Sequence, residues 1–245
     1  MELIGSITRS AARTALDFAL PPRCPGCGLI VGEPHRFCLS CWQSLRFLGA
    51  PCCDRCGLPF EYDPGDGAEC GACLADPPRF DRLRAAVAYG EVARAVALKL
   101  KYAGRPGAAG TMAQLMLRHL DRAEPDAILA PVPLHRWRIW RRGYNQSALI
   151  ARALARHAGL GVDLALLERV KRTPPLKGLG RLERARAVRG AFRLGAGRDV
   201  TGRTVLLVDD VFTSGATAGA CAALLKRHGA ARVNILCWAR VVREE

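Results

Sequence analysis

Aromatic side chains make up only 6% of this 245-residue chain, so any core must be built from Ala, Leu and Val, within a hydrophobic total of half the residues. No apolar stretch reaches the roughly 20 residues that a membrane-spanning helix needs. The first twenty residues carry Glu2, Arg9, Arg13 and Asp17 spread along them. They therefore lack the apolar centre of a secretory signal, and the expected location is the cytoplasm. In a reducing compartment, eleven cysteines point to metal ligation before disulfides. Acid is also scarce, with 22 Asp and Glu against 37 Lys and Arg, a net +15. The imbalance is local: residues 1–80 are slightly acidic, whereas 131–193 hold fifteen basic and three acidic residues. Such a concentration suits a phosphate-rich partner, a pyrophosphate-bearing substrate or nucleic acid, although a solvated surface chosen for solubility has the same composition.

The cysteines that are present fall into four CxxC pairs: Cys24/Cys27, Cys38/Cys41, Cys53/Cys56 and Cys70/Cys73. Zn²⁺ favours four thiolates in a tetrahedron, and each CxxC turn puts two sulfurs on one ion. Taken in sequence order, the pairs predict two structural Zn²⁺ sites in a double zinc ribbon over residues 23–78, behind a short N-terminal helix over 1–22. The glycines after Cys27 and Cys56 permit the tight knuckle backbone. Rubredoxin-like iron is the competing metal, and Cys52 overlaps the third knuckle as an alternative ligand. Cys221 and Cys237 lie in apolar segments and read as core. Asp76-Pro-Pro-Arg79 is a stiff joint, which sets the boundary of a second domain over 79–245.

In that second domain, apolar runs alternate with helix-like segments, which predicts a mainly parallel α/β sheet. Leu83–Tyr89, Asp126–Val132, Ala191–Leu194, the apolar run Val205–Val208 and Arg232–Trp238 read as strands, with Val162–Val170 a strand or extended segment. Val92–Tyr102, Thr111–Arg122 and a segment capped by Asn145 and running to about His157 read as helices. Leu134–Gly143 reads as a basic loop interleaved with Trp137 and Trp140. Lys171–Gly190, rich in Arg, Gly and Pro, reads as a long mobile loop.

The most informative stretch is Val205–Thr217. An unbroken apolar run predicts a strand buried on both faces. It turns into Asp209-Asp210, then Thr213-Ser214-Gly215-Ala216-Thr217, and a helix follows. Backbone N–H groups at a helix start can hold a phosphate dianion, while adjacent carboxylates suit vicinal hydroxyls. Together they point to a sugar phosphate. An ordinary βα turn with a chance acidic pair is the plainer alternative.

This stretch resembles the phosphoribosyl pyrophosphate (PRPP) loop of type I phosphoribosyltransferases. With the cysteine ribbon, Pro131-Val132-Pro133-Leu134, Arg142-Gly143-Tyr144-Asn145-Gln146, Glu183-Arg184 and Gly190-Ala191-Phe192, nearly the whole chain resembles the ComF family. That family joins a zinc ribbon to a phosphoribosyltransferase-like domain and is associated with natural competence. The resemblance implies that Asp209 and Asp210 hold the ribose hydroxyls and that Thr213–Thr217 holds the 5′-phosphate. Pro131, Val132, Pro133 and Arg142 would then line the pyrophosphate site, with Mg²⁺ accompanying the PRPP. Lys177, Arg181 and Arg184 would belong to a flexible loop closing over the reaction. The family pattern usually has Gln where Leu176 stands and Asn where Ala187 stands. The resemblance thus implies either a Mg²⁺-dependent phosphoribosyltransferase of unknown acceptor or a non-catalytic PRPP or nucleotide sensor. Single-stranded DNA and competence-machinery proteins are the further partners it implies. Trp137, Trp140 and Tyr144 among the arginines of 136–142 offer stacking faces for such a strand; the plainer alternative is that both tryptophans pack into the domain and the arginines serve pyrophosphate alone.

Overall fold

The computed structural model describes residues 21–102, 106–120, 126–173 and 180–242. The expected N-terminal helix lies almost wholly outside them, as do Leu176 and Lys177.

Two short helices sit in the cysteine-rich part, α1 (Leu39–Gln43) and α2 (Gly71–Ala75). Each starts just after the first cysteine of a CxxC pair, Cys38 or Cys70. The remainder runs β1 (Arg82–Ala88), α3 (Glu91–Tyr102), α4 (Ala108–Met116, continued by a 3₁₀ turn), β2 (Ile128–Pro131), α5 (Arg136–Arg142) and α6 (Gln146–Ala158). Then follow β3 (Leu167–Arg169), α7 (Arg181–Ala187), β4 (Phe192–Leu194), β5 (Thr204–Phe212), α8 (Ala216–Arg227) and β6 (Arg232–Arg240). Among the described residues no helix is long and apolar enough to cross a membrane.

Strands β1, β6, β5 and β2 form one sheet in that order, every neighbouring pair parallel. Residues alternate across the sheet, and the two faces feed separate cores. Leu206, Val208, Leu236 and Trp238 face a core containing Val96 and Leu100 of α3, Met112 of α4, and Ile150 and Leu154 of α6. Val205, Leu207, Ile235 and Cys237 face another, with Cys221 and Leu225 of α8. β5 is thus covered on both sides, as its unbroken apolar run predicts.

Three expectations need correction. Ala191–Leu194 and most of Val162–Val170 stand apart from the main sheet: β3 and β4 pair antiparallel in a separate two-stranded ribbon, and only Val162 touches the sheet, in a single parallel bridge to Leu129 of β2. The segment read as a basic loop is the helix α5, whose N-terminus is closed by Trp137 N–H donating to the His135 ring. The stretch read as a mobile loop contains α7, begun by a Gly180–Glu183 capping arrangement with Gly180 N donating to Glu183 Oε2 at 2.8 Å. A Glu three residues into a helix is a start signal, and Arg, Leu, Ala and Glu are strong helix formers.

The cysteine-rich part is stitched onto the sheet. Residues 46–48 lie antiparallel to β1, with Ala88 N donating to Arg46 O and Leu48 N to Ala86 O. Leu45 and Leu48 are buried, one in each core, and Phe37 stacks on Trp238. Asp54 accepts from Arg82 and Arg84 of β1.

Candidate functional site

The eight CxxC sulfurs gather as two groups, Cys24/Cys27/Cys38/Cys41 and Cys53/Cys56/Cys70/Cys73. All sulfurs of a group lie within 4.8 Å of one another. Cys27 and Cys38 sulfurs are 3.6 Å apart, and those of Cys56 and Cys70 are 3.7 Å apart. A tetrahedron with Zn–S bonds of about 2.3 Å has edges of about 3.8 Å, so the groups suit two structural zinc ions. Gly28 and Gly57 follow the knuckles at positive φ, and each N–H closes the turn onto the first cysteine's carbonyl. Burial pushes the Cys24 thiol up, but N–H groups from Cys38, Cys27 and Gly26 outweigh it and bring it down to about 6. Burial likewise opposes the N–H bonds on Cys53, which is brought to about 7. Both favour the thiolate that a metal needs. Cys52 stands outside both groups. Cys221 and Cys237 are fully buried in the core, as expected.

The second constellation forms at the C-terminal end of the parallel sheet. Asp210 shares the face of Leu206 and Val208, against which α3 packs, and it meets Lys101 of that helix in a buried ion pair. Asp209 is reached instead by Ser147 of α6, whose hydroxyl donates to Asp209 Oδ1 at 3.0 Å, while Asp210 N donates to the same oxygen at 2.9 Å. Burial first, and then the neighbouring Asp210 charge, push the Asp209 carboxyl up to about 7. The strand ends at Phe212, and Thr213, Ser214 and Gly215 form the turn into α8. Gly215 is the N-cap, with φ +74 and no side-chain cap, so Ala216 and Thr217 in the first turn keep N–H groups for a ligand. A Cβ on Gly215 would stand 2.7 Å from the Phe212 ring. Arg184 of α7 reaches this turn, donating to Thr213 Oγ1 at 3.4 Å. Nothing is described of the Arg181 side chain.

The end of β2 lies beside the acidic pair. Pro131 is in register with Val208, and Val132 N continues the ladder onto Val208 O. Asn145 ties this turn to α6: its Nδ2 donates to Val132 O at 3.0 Å, and its Oδ1 accepts from Ser147 N. A continuous hydrogen-bonded path therefore runs Val132, Asn145, Ser147, Asp209. Arg142 donates to Gln146 and lies over the Tyr102 ring. Arg138 and Arg169 converge on Thr173, one on its carbonyl and the other on its hydroxyl. Burial first, then repulsion from Arg142 on Arg138 and from Arg138 on Arg169, lowers the affinity of both guanidiniums for their protons.

The aromatic residues divide. Tyr144 is tied inward, its hydroxyl donating to Leu100 O. The guanidiniums of Arg141 and Arg172 both lie against the Trp137 ring. Trp140 is 81% exposed. Lys101, Ser147 and Arg169 were not singled out as site residues from sequence. The only signal for Lys101 was its place near the end of an amphipathic helix, and Ser147 could have been read as the second residue of a capped helix.

Residues 15–74 match the double zinc ribbon domain and residues 144–243 the phosphoribosyl transferase domain. The chain is 33% identical over 231 residues to the DNA utilization protein YhgH of Salmonella typhimurium, covering 91% of this chain and 99% of that one. It is 30% identical over 227 residues to competence protein F of Haemophilus influenzae, covering 89% and 96%. Against competence protein ComFC of Bacillus subtilis the figure is 23% over 212 residues, with 82% of each chain covered.

Proposed function

The chain belongs to the family of DNA utilization protein YhgH and competence protein F, and on that premise we propose that it binds PRPP with Mg²⁺ and acts in DNA uptake or nucleotide metabolism. The observation that carries this reading is the joining of Asp209 and Asp210 to the uncapped, glycine-opened start of α8. N–H groups of Thr213–Thr217 hold the 5′-phosphate at the positive end of the helix dipole. Asp209 accepts from a ribose hydroxyl, with Ser147 fixing its carboxylate; Asp210 is held in place by Lys101. Mg²⁺ bound with the substrate would supply charge neutralisation for the pyrophosphate. In this reading Arg142 and the turn Pro131–Val132–Pro133 serve the pyrophosphate, and Arg184 closes from α7.

For phosphoribosyl transfer, positive charge develops on the ribose as the pyrophosphate leaves. The site then needs placed carboxylates, anion-holding groups and exclusion of water more than a nucleophile. Calorimetric titration with PRPP and Mg²⁺ tests the reading, with pyrophosphate release followed across candidate acceptors. A charged hydrogen bond contributes about 1.5–3 kcal/mol, so Asp209→Asn with Asp210→Asn should weaken PRPP by about two to four powers of ten. Unaltered binding in that variant would refute the assignment.

A second reading, that the chain handles single-stranded DNA, is favoured by the exposed Trp140 on the arginine-rich helix α5. On α5, this ring and the partly open Trp137 are available for stacking. Competition between PRPP and a labelled oligonucleotide separates the two ligands.

A further inference from the structure

Arg240 is the last residue of β6 and only 7% exposed. A buried guanidinium needs a counter-charge or several acceptors. One N–H donates to the carbonyl of Cys56, in the second cysteine cluster. The buried Nε lacks a hydrogen-bond partner among the described residues. Its other neighbour is the Phe212 ring, 5.9 Å from the guanidinium carbon, at the outer limit for a cation–π contact. That ring is also held edge-on by Phe80. Its Cζ edge abuts Gly215, so closely that no Cβ fits between them.

The cysteine cluster is itself firmly seated. Leu83 N donates to Arg55 O at 2.7 Å, and a Cβ on Gly57 would lie 2.6 Å from Leu83 O. Four thiolates around a divalent ion carry a net negative charge, which the buried guanidinium beside Cys56 offsets. The first cluster has a parallel in Lys99, which donates to the carbonyls of Pro25 and Gly26. Only the Arg240 contact leads on to the turn at 213–217.

We propose that Arg240 is a positioning residue that joins the second cysteine cluster to the phosphate turn, holding Phe212 against Gly215 so that the start of α8 keeps its ligand-ready shape. The chain of contact is Cys56 carbonyl, Arg240 guanidinium, Phe212 ring, Gly215 backbone. The functional consequence rests on the reading of 213–217 as a phosphate site.

The test is amide hydrogen exchange on zinc-loaded, ligand-free protein, comparing residues 213–219 with the strand interior 205–208. Arg240→Met should speed exchange at 213–219 by about tenfold through local opening and leave 205–208 unchanged. Arg240→Lys should restore most of the protection, since it keeps a cation for the Cys56 carbonyl. Phe212→Leu should loosen the same turn while leaving exchange around Cys56 as it was. Chelation should reproduce the loosening in the parent protein and add nothing further in Arg240→Met. Uniform acceleration of both segments in Arg240→Met, or equal effects of chelation with and without Arg240, would overturn the proposal. A parallel titration with PRPP and Mg²⁺ tests the functional reading separately: failure of the parent to bind sinks that reading and leaves the exchange result standing.

Discussion

Replacing Lys101 with Met abandons Asp210 in the interior. The lysine side chain is 23% exposed and its partner 6%, so little water can take the place of the ammonium group. Breaking a buried pair from one side typically costs about 3–5 kcal/mol. The loss has a ceiling, because the abandoned carboxylate can escape by taking up a proton. For an ordinary aspartate that uptake costs about 4 kcal/mol at pH 7 and about 1.5 kcal/mol at pH 5. Lys101→Met should therefore destabilise the protein by up to about 4 kcal/mol at neutral pH, with the deficit shrinking by about 1.4 kcal/mol per unit as the solution is acidified. Urea denaturation of both proteins at pH 5, 6 and 7 measures this directly. Adding Asp210→Asn should recover much of the loss, because the buried charge is gone. A deficit that does not change with pH, or single losses that simply add in the double variant, would refute the reasoning.

Asp209→Asn should act differently. The folded protein holds a proton on Asp209 up to about pH 7, whereas the unfolded chain releases it near pH 4. The parent thus has its full stability contribution below about pH 4 and loses it as pH rises through about 7. The variant should show a flatter urea-midpoint profile across that window, and an unchanged profile would mean that Asp209 does not carry the effect. Elemental analysis of freshly reduced protein should give about two zinc ions per chain, and iron, or one metal only, would contradict the paired tetrathiolate sites.

The parts legible in the sequence are those whose determinants are local. Val205–Thr217 fixes its strand, turn and helix start within one stretch, and the four CxxC pairs form their two groups in simple order. Asn145 caps the helix it was expected to cap. What escaped depends on distant partners. Lys101 meets Asp210 only because α3 packs on one face of β5, and no spacing along the chain records that. The β3–β4 ribbon was read as sheet strands because three-residue segments carry no mark of which neighbour they will pair with. Helix α5 is seven residues long, too short to form unaided; its arginines and tryptophans have the composition of a loop, and the His135 cap and the contacts to Tyr102 and Thr173 hold it helical.

The strand order β1-β6-β5-β2 also constrains how the chain assembles as it leaves the ribosome. β6 is the last of the described strands to be synthesised, yet it fills the gap between β1 and β5. Until it emerges, β1 has no partner on that side, and Phe37 lacks the Trp238 ring on which it stacks. The cysteine module can capture metal early and dock on β1, but its seat is completed by Trp238 and Arg240 only once residues 232–240 are present. A nascent chain stalled before that point should carry a metal-filled ribbon tethered to an unfinished sheet, with its apolar faces open to chaperones. Truncation ahead of β6 should therefore remove far more structure than the loss of one strand suggests.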